Sequence, residues 1–464
     1  MASRKYAKSL DIDLQYITIG SLQKEDVGET VVIHDSAKNI QRWNAVSIYE
    51  DMFKNFMTCE IVLVDQDGMF LNRFRTEEVI LIRFCTPDLD GRTFQPRDHY
   101  FYLYKIDPVM ILNKPNGAVY SIRGISFEFF YNTLRTFSKS FKPDRTEKIA
   151  EEIYREFLEA KSERTVKKKF RVGRPTRHEM KFSFPYVNPV DAINHLASVS
   201  IDSTNPDICN YVFYEDKDGF NFKSITELIE RPRKVHKYIT SKTSSVPFAN
   251  FGAYFDNTIT ITPTRGADKI IDTLDGVYGE YFADYDLMYK SYKPYMFVER
   301  GRGGNVHGKR YLEYFPKTKH LNQKPVLSFE NELFRDPLGR NRICFSNKAL
   351  YSEKKKLDNG EEAWQLYQTH EEEYSFQRRS LMQQINSMSV ELVVPGNSDI
   401  TVGDIVDLDT VIYRSSDPDL YLSGKYLVTA VHHAINLDGY KSIITISRDS
   451  IKSNDFTDDS EAGE

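Results

Sequence analysis

The chain has 464 residues, a length that usually divides into two to four domains because one hydrophobic core rarely grows this large. Apolar residues make up 40 % of the chain and aromatic residues 13 %, which is enough to build large cores. The formal net charge is −5 and argues against a general nucleic-acid binder, because binding to phosphates needs a surplus of cations.

Neither a membrane segment nor a redox site is predicted. No apolar run approaches the roughly 20 residues that span a bilayer, and the N-terminus lacks the apolar part of a signal peptide. The four cysteines, Cys59, Cys85, Cys209 and Cys344, are scattered and form no CxxC pair. We interpret them as buried free thiols rather than as disulfides or zinc ligands. These features predict a soluble protein made in the cytoplasm.

Residues 1–141 are predicted to form a first β-barrel with a closing helix. Runs of β-branched and aromatic residues at 43–49, 60–64, 79–84, 100–106 and 118–123 have the length of strands. The helix carries apolar residues at helical spacing, namely Phe127, Phe130, Leu134 and Phe137, and Ser126 is its predicted N-cap. A barrel is the simplest arrangement because an open strand edge invites aggregation.

Residues 142–240 are predicted to form an inserted α+β domain. Its first helix has the apolar stripe Ile149, Ile153 and Phe157, with Asp144 and Glu147 as a capping pair. A second helix begins at Asn188-Pro189, an Asn cap followed by Pro at the first helical position. A hairpin with its turn at 216–219 completes the domain.

A basic stretch lies inside this domain. Its cationic residues are Lys167, Lys168, Lys169, Arg171, Arg174 and Arg177. A solvated linker is the simpler interpretation, and a contact with an acidic surface of a partner is the alternative.

The rest of the chain is predicted to contain a second barrel and a loop-rich insertion. Residues 241–290 and 385–453 show strand patterns punctuated by Gly, Pro and Asp, and together form the barrel. Between them, 291–384 is predicted to be loop-rich, with loops at 301–304 and 354–356 and a connecting helix over 372–388. The apolar face of that helix is Tyr374, Leu381, Ile385 and Met388. The acidic tail, 454–464, is predicted to be disordered.

Motifs that suggest an ion or phosphate site are weak. Asp65-x-Asp67-Gly68 and Asp216-x-Asp218-Gly219 place Gly directly after the second Asp, whereas an EF-hand loop has its Gly at position six. We interpret both as hairpin turns. Gly301-Arg-Gly-Gly304 lacks the Lys-Ser or Lys-Thr of a phosphate loop and is interpreted as a loop tip.

Motifs for catalysis are absent from the sequence. His432-His433 falls within a predicted strand, so its imidazoles face opposite sides of the sheet and cannot bind one metal together. The chain contains no Gly-x-Ser-x-Gly and no His-Glu-x-x-His. With 67 Asp and Glu residues, chance carboxylate pairs are common and a glycosidase pair is not assigned. We therefore predict a protein that is not an enzyme, with no catalytic, cofactor-binding or metal-binding residues and no cofactor.

Several segments together resemble a known family. The part of the sequence most similar to that family is 211–224, preceded by the helix at 188–197. The strand runs 392–398, 401–408 and 424–432, and the segment 120–126 before the first helix, occur in the family's order. The chain resembles the central hub protein of contractile-tailed phage baseplates (the T-even-type hub) and, more distantly, the hub portion of VgrG-like type VI secretion spikes. The resemblance covers most of the chain, and 291–370 matches least.

The resemblance implies a mainly β fold with α+β insertions and two tube-like antiparallel β-barrel domains per chain. It also implies a homotrimer whose six barrels form a pseudo-sixfold ring at the centre of the tail baseplate of the virion. Such a ring joins the hexameric tail tube, or a tube initiator, to a trimeric central spike that can carry a lysozyme. Tape measure and baseplate wedge proteins are further expected partners, and neither a membrane nor a specific nucleic acid is expected.

Two other functions remain open from the sequence. One is a different tail-tube or baseplate adaptor, and the other is a virion-associated peptidoglycan hydrolase or carbohydrate-binding module. Two separate strand-rich segments favour the hub, because a simple tube protein needs only one barrel.

Overall fold

The structure is a computed structural model, and it is mainly β, as predicted. It describes residues 10–21, 30–65, 78–89, 92–111, 117–159, 167–240, 255–266, 268, 270–271, 279–286, 290–298, 304–306, 309–313, 318–325, 341–346, 353–356, 362–365, 370–411, 419 and 421–452. Within these ranges, no helix has both the length and the apolar character that a membrane crossing requires. The predicted tail at 454–464 lies outside them.

The first strand group is built from the N-terminal part of the chain. Its strands are β1 (Asp13–Ser21), β2 (Val31–Asp35), β3 (Ile40–Gln41), β4 (Trp43–Asp51), β5 (Thr58–Asp65), β6 (Glu78–Cys85), β7 (Arg97–Ile111) and β8 (Ala118–Ile125). The five predicted strand runs are confirmed as β4 to β8. Side chains of β5 alternate between fully and partly buried along the whole strand, which is the period of two that places one face of a strand on a core.

The first strand group comes back on itself at a bend in the chain. β3 and β4 are separated only by Arg42, whose N–H donates to the Ile33 carbonyl in β2 at 3.0 Å. The Arg42 carbonyl accepts from the Val64 N–H in β5, also at 3.0 Å. The order β4-β5-β8-β7-β6-β1-β2 therefore returns to the segment from which it started.

The middle of the chain forms an α+β unit. Its helices are α1 (Glu128–Leu134), α2 (Thr146–Ile153, continued by a π-helical turn, Tyr154–Leu158), α3 (Pro189–Ser198) and α4 (Ile225–Glu230). Its strands are β9 (Phe137–Ser140), β10 (Asp144–Arg145), β11 (Lys169–Val172), β12 (Glu179–Met180), β13 (Ser183–Val187), β14 (Tyr211–Asp216) and β15 (Gly219–Ser224). α3 begins after Asn188 with Pro at its first turn, and β14 and β15 form the predicted hairpin. Gly219 closes the turn at a φ of +129°, a conformation that favours glycine.

Two predicted helix caps are wrong. Ser126 is not the N-cap of α1, which is Phe127, because the Ser126 hydroxyl is buried and donates to the Glu215 carboxylate. Asp144 lies in β10, and α2 has no side-chain cap, because Glu147 accepts hydrogen bonds from the N–H and hydroxyl of Thr176 instead. In both places a long-range polar contact displaces the local one.

The second strand group combines β16 (Val235–Ile239) and β17 (Thr260–Arg265) with C-terminal strands. These are β26 (Met388–Pro395), β27 (Ile405–Asp409), β28 (Gly424–Asn436) and β29 (Gly439–Arg448), and they follow α5 (Glu371–Ile385). The order is β16-β27-β28-β29-β26-β17, and one bridge between Ile239 and Asn257 brings the end of β16 to the segment before β17. In the described ranges this closing contact is a bridge and not a ladder. The predicted connecting helix is confirmed, except that Met388 lies in β26.

The predicted loop-rich insertion contains several strands. They are β19 (Ser291–Val298), β20 (Gly304–Val306), β21 (Lys309–Glu313), β22 (Lys324–Pro325), β23 (Asn341–Ser346), β24 (Glu353–Lys356) and β25 (Glu362–Gln365), and β22 pairs with β30 (Ser450–Ile451). β18 (Gly279–Asp286) falls in the range predicted for the second barrel, but it pairs with β19 and β23 instead. The loop predicted at 354–356 is wrong, because Lys354 to Lys356 pair with β25. Of the loop predicted at 301–304, Gly304 lies in β20 and 301–303 lie outside the described residues. The loop was predicted from the run of three lysines, which does not show that these residues pair with another strand.

Three hydrophobic clusters hold these units together. One fills the first strand group, one fills the second, and the third lies between α2, α3 and the hairpin. Every side chain of β14 is buried: Tyr211 and Phe213 enter the third cluster, whereas Val212 and Tyr214 enter that of the second strand group. β14 thus lies between two cores and attaches the α+β unit to the second strand group.

Candidate functional site

The two strand groups share one strand, and this seam is the candidate functional site. The start of β28, Gly424 to Leu427, pairs with β27 of the second strand group. After an irregularity between Val428 and Ala430, the rest of β28 pairs antiparallel with β4 of the first group, from Ala430 opposite Asp51 to Asn436 opposite Ala45. The result is one sheet of 14 strands that runs through both groups.

A buried carboxylate lies at this seam. Glu50, in β4, is 1 % exposed, and one of its oxygens accepts hydrogen bonds from the Thr401 hydroxyl and the Val402 N–H. Its other oxygen, Oε1, has no hydrogen-bond partner among the described residues. Burial raises the pKa of Glu50 to about 7, against the lowering effect of the Thr401 hydrogen bond. The strand groups therefore meet at a titratable group.

Side chains of β28 strengthen the seam on both faces. The ring of His432 stacks on Tyr49 of β4, with 4.2 Å between ring centroids. His433 points to the opposite, buried side, where its Nδ1 lies 2.8 Å from the Tyr440 hydroxyl. Burial holds the pKa of His433 well below its usual value, so this imidazole is neutral. The predicted opposite orientation of the two histidines is confirmed.

A second contact joins the groups through short polar side chains. The Thr86 N–H donates to the Ser398 hydroxyl at 3.0 Å, and the Thr86 hydroxyl donates to the Gly396 carbonyl at 3.0 Å. The Ser398 N–H in turn donates to the Thr86 hydroxyl at 2.8 Å. The segment after β6 is therefore attached to the segment after β26.

The basic stretch at 167–177 is neither a solvated linker nor, in its paired residues, a free cationic surface. Lys168 forms ion pairs with Glu128 and Glu215, whose side chains are each 1 % exposed. Burial acts to lower the pKa of Lys168, but the two carboxylates outweigh it and hold that pKa above its ordinary value.

The arginines of this stretch are also paired within the chain. Arg171 pairs with Asp216, and Arg174 pairs with Asp202 and Glu230. These acidic partners lie far away in sequence, which is why the basic stretch alone did not reveal them.

One arginine attaches α5 to the α+β unit. Arg378 Nη1 donates to the carbonyls of Ala197, Cys209 and Tyr211, at 3.1, 3.0 and 2.7 Å. Burial lowers the pKa of Arg378 to about 10, so the guanidinium remains charged at neutral pH. It stabilises the end of α3 and the start of β14 against the helix that leads into the second strand group.

Aliphatic side chains are exposed on the second strand group, two of them on either side of the exposed Lys237 in β16. Val235 and Ile239, which alternate with buried residues along β16, and Ile259, just before β17, are 42 %, 48 % and 44 % exposed. We call these three residues the β16 patch. Exposed apolar surface on a strand commonly marks a contact with another protein.

A cavity of about 420 Å³ lies beside the basic stretch. Its described walls include the carboxylates of Asp98, Glu215, Asp216 and Asp218, each of which forms an ion pair with a lysine or arginine. Carboxylates held in this way are poorly placed to act as a general acid and base. These four carboxylates of the cavity wall are therefore engaged in ion pairs.

Sequence reasoning missed one group of metal-ligand type. His178, His370 and Glu373 come together between the α+β unit and α5. The spacing His-x-x-Glu at 370–373, at the start of a helix, is the signal that could have found two of the three. The expectation of buried thiols is confirmed for Cys59, Cys85 and Cys209, and it stays a prediction for Cys344.

Comparisons with known proteins agree with this architecture. No family model matches the chain. A protein of Vibrio phage KVP40 with the name "Probable baseplate hub protein gp334" is 23 % identical over 274 residues. That match covers 56 % of this chain and 57 % of the relative, so the chain aligns with little more than half of the relative's length.

Two solved structures have a similar fold across nearly their full length. The tail protein from Neisseria meningitidis MC58 has a TM-score of 0.52 at 9 % identity, covering 95 % of this chain and 97 % of that one. The 43 kDa tail protein of prophage MuSo2 from Shewanella oneidensis has a TM-score of 0.51 at 10 % identity, covering 94 % and 100 %. The resemblance predicted from the sequence is confirmed: this chain is similar in sequence to a phage baseplate hub protein and in fold to phage tail proteins.

Proposed function

We propose that this chain is a structural hub protein of a contractile-tailed phage baseplate and assembles as a homotrimer. Each subunit contributes two tube-like barrels, so that three chains form a pseudo-sixfold ring. One end of the ring binds the hexameric tail tube or its initiator, and the other binds the trimeric central spike. The seam between β4 and β28 carries this proposal, because it makes one rigid unit of two strand groups.

In this proposal the domains follow those expected from the sequence, except that β16 belongs to the second strand group and β18 pairs with strands of the insertion. Residues 1–141 form the first barrel with its closing helix, and 241–290 with 385–453 form the second. The α+β domain, up to the start of β16, and the insertion at 291–384 lie outside the ring, where they can bind tape measure and wedge proteins. The barrels need covered edges, and edge pairing of the β4–β28 kind supplies that cover within the chain.

The β16 patch supports the contact between subunits. Its three aliphatic side chains belong to the second strand group, and the seam to the first group is made by other strands, β28 and β4. A ring needs two contacts for each unit, one within the chain and one between chains. We assign the second contact to the β16 patch and the first to the seam. Negative charge on the inner surface of such a ring would ease the passage of DNA through it.

The mass of the purified full-length chain in solution tests the proposal. A trimer that binds the cognate trimeric spike protein is the expected result, measured by analytical ultracentrifugation with and without the spike. A strict monomer that also fails to bind the spike overturns the hub assignment. A ring with another symmetry would favour a different tail-tube or baseplate adaptor.

A peptidoglycan hydrolase is the remaining candidate from the sequence, and a clearing assay with purified protein addresses it. Clearing that is lost when one carboxylate is replaced would overturn the structural role. The paired state of the cavity carboxylates leads us to expect no clearing.

A further inference from the structure

The strongest unassigned chemistry in the molecule is the group formed by His178, His370 and Glu373. His178 lies just before β12, His370 directly precedes α5, and Glu373 is in the first turn of α5. His178 Nε2 is 3.0 Å from Glu373 Oε2, and His370 Nδ1 is 3.2 Å from Glu373 Oε1. Ligand atoms of all three residues lie within 4.8 Å of one another.

These separations match a metal coordination sphere. Zinc–nitrogen and zinc–oxygen bonds of about 2.0–2.2 Å place neighbouring ligands of a tetrahedral ion roughly 3.3 Å apart. The two nitrogen–oxygen separations, 3.0 and 3.2 Å, are close to that edge, and each imidazole reaches a different oxygen of the Glu373 carboxylate.

The backbone at His370 is unusual for the start of a helix. His370 is the N-cap of α5, yet it has a left-handed φ of +55° and makes no side-chain capping hydrogen bond. A good cap has a β-region backbone and a side-chain oxygen that accepts from the helix, and a left-handed backbone is uncommon for residues other than glycine. The helix start therefore carries strain and lacks a cap, while the imidazole faces Glu373.

The surroundings suit an ion that keeps one open position. The side chains of His178 and His370 are 20 % and 18 % exposed, and that of Glu373 is 36 % exposed, so water and ions can reach the group. The two imidazole rings are stacked, with 3.7 Å between centroids and 9° between their planes, so one ring has to turn before both nitrogens can face one ion. Neutral imidazoles are the form that binds metals.

We propose that His178, His370 and Glu373 form a binding site for a divalent transition-metal ion, with Zn²⁺ as the best match. Two imidazole nitrogens and one carboxylate oxygen are typical ligands of Zn²⁺ and of Co²⁺ or Ni²⁺, whereas Ca²⁺ and Mg²⁺ prefer oxygen alone. A water molecule completes the coordination. The site is independent of the proposed hub function.

The ion would act as a clamp between distant parts of the chain. His178 and Glu373 are 195 positions apart, and closing so long a loop restricts the unfolded chain. The clamp holds the start of α5 on the α+β unit, next to the Arg378 contacts with Ala197 and Cys209. Metal would therefore stabilise the folded protein and would not take part in a reaction.

Titration of the full chain with Co²⁺ and Zn²⁺, after removal of metals with a chelator, tests the proposal. We expect one Zn²⁺ per chain by calorimetry, visible absorption bands from tetrahedral Co²⁺, and a higher thermal midpoint with Zn²⁺. His178→Ala, His370→Ala and Glu373→Gln should each weaken Zn²⁺ binding at least tenfold and abolish the rise in midpoint.

The matched control is His320→Ala. His320 Nδ1 also contacts a carboxylate, Asp449, at 2.8 Å, but His320 does not belong to the three-ligand group. Its replacement should leave Zn²⁺ binding unchanged. Failure of the wild type to bind Zn²⁺ at 100-fold molar excess overturns the proposal, as does equal binding by His178→Ala and the wild type. If His370→Ala does not fold, Glu373→Gln, which keeps the side-chain shape, decides the matter.

Discussion

The Thr401 hydroxyl donates a hydrogen bond to the Glu50 carboxylate, although 351 positions separate the two residues in the chain. Glu50 belongs to β4 of the first strand group, and Thr401 precedes β27 of the second. Both residues are almost completely buried. The charge of one buried carboxylate is thus linked to how firmly the two groups are joined.

Replacing Glu50 by Gln should change how stability depends on pH. Burial raises the pKa of Glu50 from 4.5 to about 7, with Asp216 adding to the rise and Lys217 opposing it. The native state therefore holds the proton more tightly than the unfolded state, and stability falls as the pH rises from about 4.5 through about 7. Gln cannot ionise, so we expect Glu50→Gln to be more stable than the wild type at pH 8, by on the order of 3 kcal/mol at most.

Thermal unfolding of both proteins at pH 5 and pH 8 measures this effect. The midpoint of Glu50→Gln should exceed that of the wild type at pH 8 and approach it at pH 5. Equal midpoint differences at the two pH values would show that Glu50 does not titrate in this range.

Lys168→Met should destabilise the protein strongly, because it leaves Glu128 and Glu215 as buried carboxylates without their cation. Loss of one partner from a buried ion pair costs about 3–5 kcal/mol. Lys139→Met is the matched control, since Lys139 also pairs with two glutamates, Glu152 and Glu156, but these are about half exposed.

We expect Lys139→Met to cost less than about 1 kcal/mol. Denaturant unfolding of the two variants beside the wild type gives the comparison. Similar losses of stability in both variants would show that burial of Glu128 and Glu215 with Lys168 is not important.

Val428→Asp should prevent folding of the second strand group and, with it, trimer assembly. Val428 is fully buried in the core of that group, and an unpaired charge there costs more than about 3 kcal/mol. Lys425→Asp, three positions earlier on the same strand and exposed, is the control and should assemble normally. Sedimentation of the two variants checks this, and normal assembly of Val428→Asp would show that its site tolerates charge.

Arg378→Met should loosen α5 while leaving the strand groups folded. The variant loses the hydrogen bonds to the carbonyls of Ala197, Cys209 and Tyr211, and unsatisfied buried carbonyls cost roughly 2 kcal/mol or more. Hydrogen exchange should accelerate in α5 and at the end of α3. Arg378→Lys keeps one cationic donor and should show a smaller effect, and unchanged exchange in Arg378→Met would contradict this role of Arg378.

The double variant Val235→Lys with Ile239→Lys should remain folded but monomeric, because both side chains are exposed on β16 and charge there opposes apolar contact between subunits. Leu134→Lys, at a 79 % exposed position of α1, is the control and should assemble as the wild type does. Circular dichroism and sedimentation distinguish loss of fold from loss of assembly. A trimer of normal stability in the double variant would show that the contact between subunits does not involve the β16 patch.

Much of the fold could be predicted because alternation and turn chemistry are local. The strands around Val46, Ile61 and Ile82 followed from their period of two, and α3 followed from Asn188 and Pro189. The failures are long-range: Ser126 is drawn to Glu215 and Lys168 to Glu128, and no local pattern contains these partners. The seam was missed for the same reason, since nothing in the sequence of β28 indicates that its pairing partner changes from β27 to β4 after Val428.

The shared strand β28 also has a mechanical consequence. Its second half is held against β4 by an antiparallel ladder from Ala430 to Asn436, and its first half by β27. Force applied along the strand loads these backbone hydrogen bonds together in shear, so the hydrogen bonds share the load. A tension that arises in one strand group is thereby transmitted to the other through the main chain itself, with little dependence on which side chains cover the joint.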